Sequence, residues 1–176
     1  MGDPLTANEI CTRLTLKREA KALLRDAMPA GEYAAALVTN KQYVTGIEYV
    51  AQALPLRESI WWGCLCVREV YGDDLSGADK EACKAAVKWL IEPTEENRLA
   101  CRQAAQAAGA PSPAALVAAA VFQTGGNPAI PNAPTPDVAA PGRAVANAVK
   151  LLCTKRDPVK IVETQRLFVE LGMGRV

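Results

Sequence analysis

The chain has no histidine among its 176 residues, and that absence removes more chemistry than any motif adds. Ser–His and Cys–His nucleophile pairs are excluded, as is every His-containing metal site. Only cysteine, carboxylate and lysine remain for chemistry. Aromatic residues are scarce too, 5% against 50% hydrophobic overall, so much of the apolar content is alanine. Such a composition suits close helix–helix packing and not strands, which favour β-branched and aromatic residues. Neither sign of charge dominates: 20 Lys and Arg face 19 Asp and Glu, for a formal net charge of +1. A nucleic acid or an anionic membrane therefore has no strong electrostatic attraction to use.

Long hydrophobic runs are also missing. Residues 114–122 are continuously apolar but fall well short of the roughly 20 residues that span a bilayer. The start, Met1-Gly2-Asp3-Pro4-Leu5, has neither the basic residues nor the apolar run of a signal peptide. The expectation is a cytoplasmic protein without membrane insertion. Its six cysteines, Cys11, Cys64, Cys66, Cys83, Cys101 and Cys153, then read as reduced thiols.

What is present is helix after helix, in a length that fits one domain. Thr6-Ala7-Asn8-Glu9 matches a capping box. Leu16, Ala20, Leu23, Leu24 and Ala27 form an apolar stripe at helical spacing, stopped by Pro29. A short helix is expected over 33–38, and another carries Tyr43, Ile47, Val50 and Leu54 on one face. Pro55 opens a helix over 56–71 whose middle, residues 60–67, is apolar on every side; such a helix is a buried one and the expected centre of the fold.

After the turn Gly72-Asp73-Asp74, a helix from Ser76-Gly77 to about Ile91 sets Lys80, Lys84 and Lys88 on one face. Pro93-Thr94 caps the next, with Glu95 and Glu96 at its dipole-positive end. Gly109 closes that helix, and Ser112-Pro113 opens another, which Gly125-Gly126 ends. Five prolines exclude helix from residues 127–142, read as an extended surface loop docked through Ile130 and Val138. The chain resumes with Val145, Ala148, Val149 and Leu152, then a last helix from Asp157-Pro158 to Gly172. About eight helices in one all-α domain result, as a globular bundle or a short solenoid of helical hairpins.

Candidate sites are few. Cys64 and Cys66 lie two residues apart, about 200° around a helix, and so cannot share one metal ion. Asp73-Asp74 with Glu69 reads either as an ordinary acidic turn or as a carboxylate cluster for a divalent ion. The Lys80, Lys84, Lys88 line is either a solvated face or a docking edge. Trp61 and Trp62 diverge by about 100° on their helix, so burying both needs enclosure on two sides. Burial of both is the expectation; the alternative sets one ring in a groove that receives a partner. Ile130 and Val138 complete the candidate contact residues. No cofactor is implied.

The run Glu58-Ser59-Ile60-Trp61-Trp62-Gly63-Cys64-Leu65-Cys66 closely resembles the signature of a bacterial family of small helical proteins with no assigned activity. The resemblance continues through Pro93-Thr94-Glu95-Glu96-Asn97-Arg98, Phe122 with Gly125-Gly126, the proline-rich stretch, residues 143–149 and Phe168 to Gly172. It covers the chain from about Glu32 onward and brings no catalytic residue. It implies gene neighbourhoods of type VI secretion, hence an accessory or chaperone-like adaptor that binds protein, with components of the secretion apparatus as the implied partners. The alternatives are a histidine-free enzyme or Cys-liganded metal protein, and a subunit whose task is oligomerisation.

Overall fold

Helices begin in this chain where a side chain satisfies the free N–H groups of a first turn. A computed structural model describes residues 5–75, 77–109, 112–125 and 137–176. Among them lie ten α-helices and, in place of any strand, one isolated bridge between Thr6 and Pro29. In α1 (Ala7–Cys11) the Thr6 hydroxyl accepts from the Glu9 N–H while the Glu9 carboxylate accepts from the Thr6 N–H at 2.8 Å, the expected capping box. The next elements are α2 (Arg18–Lys21), α3 (Ala30–Thr39), α4 (Tyr43–Ala53) and α5 (Leu56–Tyr71). A 3-10 turn over Gly72–Asp74 leads to α6 (Gly77–Ile91).

Thr94 caps α7 (Glu95–Ala108), accepting from the Asn97 N–H at 3.2 Å. Ser112 caps α8 (Pro113–Phe122) through the Ala115 N–H at 3.1 Å. Both caps are the ones the sequence announces. The chain ends in α9 (Ala140–Lys155), a 3-10 turn (Pro158–Lys160) and α10 (Ile161–Met173).

Helix α9 lies at the middle, against α4, α5, α8 and α10, while α10 turns back onto α3 and α4. A solenoid would confine each helix to its sequence neighbours; this returning path makes a globular bundle. The main core gathers Trp62, Phe168, Ile60, Leu152 and the Val and Ala side chains of α8 and α9. A satellite core holds Ile10, Met28, Tyr33, Leu37 and Tyr49. There the two tyrosine rings meet edge-on at 4.9 Å, and their hydroxyls donate to the Ala20 and Ala30 carbonyls.

Several expectations need correction. The stripe from Leu16 to Ala27 yields only the four-residue α2. The segment bends instead around Tyr33, reaching a left-handed backbone at Ala27 (φ 52°); burying that ring outweighs a helix too short to sustain itself. The proline-rich stretch is not extended at its end, because 140–142 form the first turn of α9, where Pro141 loses no hydrogen bond. Val138 does not dock and is 78% exposed. Ile130 and residues 126–136 lie outside the described residues. Gly172 does not stop α10 but sits buried inside it, against Val50 and Trp62.

Helix α5 is not enclosed on all sides either. Trp62 is fully buried, its indole N–H donating to the Phe168 carbonyl at 3.0 Å, whereas Trp61 is 37% exposed. Residues 60–67 are apolar enough to be surrounded, but α6 packs its own buried face toward α7 and α8 and leaves one seam of α5 uncovered.

Candidate functional site

Arg57, Trp61, Leu65 and Arg68 recur along α5 at spacings of four, four and three, so they form one stripe down the helix. Lys80, Lys84, Val87 or Lys88, and Ile91 repeat the same pattern on α6. The 3-10 turn over Gly72–Asp74 joins the two helices as a hairpin, and these stripes face a common groove of about 620 Å³. Trp61, Cys64, Leu65, Cys83, Val87 and Ile91 make its walls and floor, and Leu75 closes the end at the turn. Beyond Trp61 a further concavity of about 610 Å³, reaching Pro55 and Leu90, shares Trp61, Val87 and Ile91 with the first. The apolar lining therefore runs along the whole hairpin. Ile91 stands 78% exposed at that outer end.

The rim is cationic. Arg57, Arg68, Lys80, Lys84 and Lys88 border the two concavities against the carboxylates of Glu58 and Asp73. Lys84 pairs with Glu81 at 2.7 Å, and the Arg57 guanidinium donates to the Leu90 carbonyl, tying the two helices together. Among the described residues, Arg68, Lys80 and Lys88 form no ion pair.

The groove is poorly suited to covalent chemistry. Burial pushes the Cys83 thiol up to about 11 and raises Cys64 as well, so both stay protonated near neutrality and are weak nucleophiles. Cys64 lines the groove while Cys66 points into the core, the divergence the helical period requires. All six cysteines are free thiols. Among the described residues no three Cys, Asp or Glu side chains gather as a metal centre would need. Asp73 and Asp74 lie exposed in their turn.

Of the candidate residues, the fold brings Trp61, Lys80, Lys84 and Lys88 together and leaves Trp62 and Val138 out. Leu65, Arg68, Val87 and Ile91 belong to the same surface and were not foreseen. Their signal was present, in the matched spacing of the two stripes.

The segment around Arg98 has a different role. Its buried guanidinium binds both Glu95 oxygens, at 2.7 and 2.6 Å, and donates to the Phe122 and Gly125 carbonyls at the end of α8. It also covers the Phe122 ring, 4.8 Å from the centroid. A Cβ at Gly125 would come within 2.9 Å of Arg98 Nε. The clamp fixes α7 to α8 and offers nothing to a ligand.

Residues 33–174 match DUF6931, a family of unknown function. No curated protein and no solved structure matches the chain. Among the described residues no helix is long and apolar enough to cross a membrane.

Proposed function

We propose that this chain, which belongs to the family DUF6931, is a non-enzymatic adaptor or chaperone that holds another protein in the groove between α5 and α6. The observation that carries this reading is Trp61, a large apolar side chain 37% exposed in a continuous apolar floor with a charged rim. Tryptophan anchors of this kind dominate protein contacts, and an apolar surface rimmed by polar residues is the form such contacts take. The raised thiols and the absence of histidine argue against a catalytic use of the same groove. The resemblance of the Trp-Trp-x-Cys-x-Cys run to proteins encoded near type VI secretion genes supports a component of that apparatus as the partner.

The test is quantitative capture in the native host, comparing the full chain with Trp61→Ala and Ile91→Ser. Both positions are exposed, so both variants are expected to melt close to the parent. A secretion component retained by the parent and lost from both variants is the expected result. Equal retention by all three proteins refutes the groove as the contact surface.

A further inference from the structure

Resting on the groove as the contact surface, we infer that its occupant is an amphipathic α-helix of about three turns whose apolar stripe is flanked by Asp or Glu. The first argument concerns backbone. Among the described residues the molecule offers no strand edge, so an extended peptide cannot gain main-chain hydrogen bonds by adding a strand. A partner segment seated on Trp61, Leu65 and Val87 must satisfy its own N–H and C=O groups while desolvated, and a helix does so internally.

The second argument concerns length. Arg57 to Arg68 on one wall and Lys80 to Ile91 on the other each span eleven residue steps. At 1.5 Å per step that is roughly 17 Å, or three turns of a partner helix. Knobs at i, i+3 or i+4, and i+7 of such a helix meet the lining at matching intervals.

The third is charge. Five cations border the lining against two carboxylates; Lys84 is paired with Glu81, which leaves Arg68, Lys80 and Lys88 without an ion pair among the described residues. The whole chain is nearly neutral, with a formal charge of +1, so this concentration is local to the groove. Complementary charge at a rim selects partners and speeds their encounter. An acidic flank on each side of the apolar stripe fits this rim, and a basic one is repelled.

The experiment selects ligands from a random 16-residue peptide display library on the full chain, with counter-selection on Trp61→Ala. Expected winners carry an apolar i, i+3/i+4, i+7 stripe with Asp or Glu beside it. Synthesised, they should bind the parent, lose binding when proline replaces a central residue, and bind at least about tenfold more weakly to K80E/K84E/K88E. Their affinity should also fall with added salt.

Winners that need Trp61 but are proline-rich, basic or indifferent to the lysine reversals overturn the acidic helix and leave the adaptor reading standing. No enrichment over Trp61→Ala, or winners that bind Ile91→Ser and a Leu65→Ser variant as tightly as the parent, overturn both. A parent that dimerises by light scattering while Trp61→Ala stays monomeric overturns the inference in favour of a second copy.

Discussion

Replacing Gly172 by alanine pits two opposite effects against each other, and the structure decides which wins. In an open helix, Gly→Ala stabilises by about 1 kcal/mol. At Gly172 the added methyl would fall well inside contact distance of a Val50 methyl and 3.1 Å from Trp62 Cε2 and Nε1. Val50 is fully buried and β-branched, so it cannot swing aside without leaving its rotamer. Overpacking of this kind costs about 1–3 kcal/mol, and the rigid neighbours place this case near the upper end. The net loss is about 2 kcal/mol, or about 4–8 °C in Tm for a chain of this size.

Gly31→Ala in α3 is the control. Nothing lies within 4 Å of its new methyl, so it should leave Tm unchanged or raise it slightly. The double variant V50A/G172A should be less damaged than the two single losses predict, by at least about 1 kcal/mol, because the new methyl occupies space that Val50 vacates. Thermal melts and denaturant titrations of the parent, V50A, G172A, V50A/G172A and Gly31→Ala measure this, and Trp fluorescence reports whether the Trp62–Phe168 hydrogen bond has opened. The reasoning is wrong if Gly172→Ala is as stable as Gly31→Ala, or if the double variant is simply additive.

Three more outcomes are expected. Trp62→Ala should cost about 3–5 kcal/mol, whereas Trp61→Ala should cost under about 1 kcal/mol; equal losses would contradict the exposed seam of α5. Arg98→Met removes the donors to the Phe122 and Gly125 carbonyls and should destabilise by about 1.5–3 kcal/mol, seen as faster amide exchange in α7 and α8 and refuted by unchanged protection. Burial holds Cys11, Cys83, Cys101 and Cys153 near 11 instead of 9.0, so their contribution is intact below pH 9 and is lost as pH rises toward 11. The loss is up to about 1.4 kcal/mol per thiol per pH unit, and a flat Tm between pH 8 and 10.5 would disprove it.

Element boundaries were most legible where capping chemistry is local. Thr6, Thr94 and Ser112 each announce a helix start through a hydroxyl and an N–H two or three residues on, and all three bonds form. Legibility failed where tertiary contacts override local pattern. The Leu16–Ala27 stripe has good helical spacing, but Tyr33 needs that segment folded around it. Gly172 looks like a helix stop because a sequence does not reveal that Val50 and Trp62 will press against it.

The groove was half legible for a related reason. Lys80, Lys84 and Lys88 declare an exposed face, but whether Trp61 or Trp62 is the open ring depends on which side α6 leaves bare. That choice is made by α6, which packs far more on α7 and α8 than on α5 and buries Ala82, Ala86 and Trp89. Nothing within the run of residues 60–67 encodes it.

The satellite core draws a line through the molecule that differs from the line of kinship. The family match begins at residue 33, on the very tyrosine whose hydroxyl depends on the Ala20 carbonyl and whose ring is walled by Ala7, Ile10 and Met28. A fragment trimmed to the shared region would keep Tyr33, Leu37 and Tyr49 but open their socket to water, with both phenols losing their carbonyl acceptors. It would carry a second sticky surface, unrelated to the one beside Trp61, and any binding at that opened socket would be an artefact of the cut. The leading segment, although it lies outside the matched portion, is thus a working part of this bundle, the cover that keeps Tyr33 and Tyr49 dry.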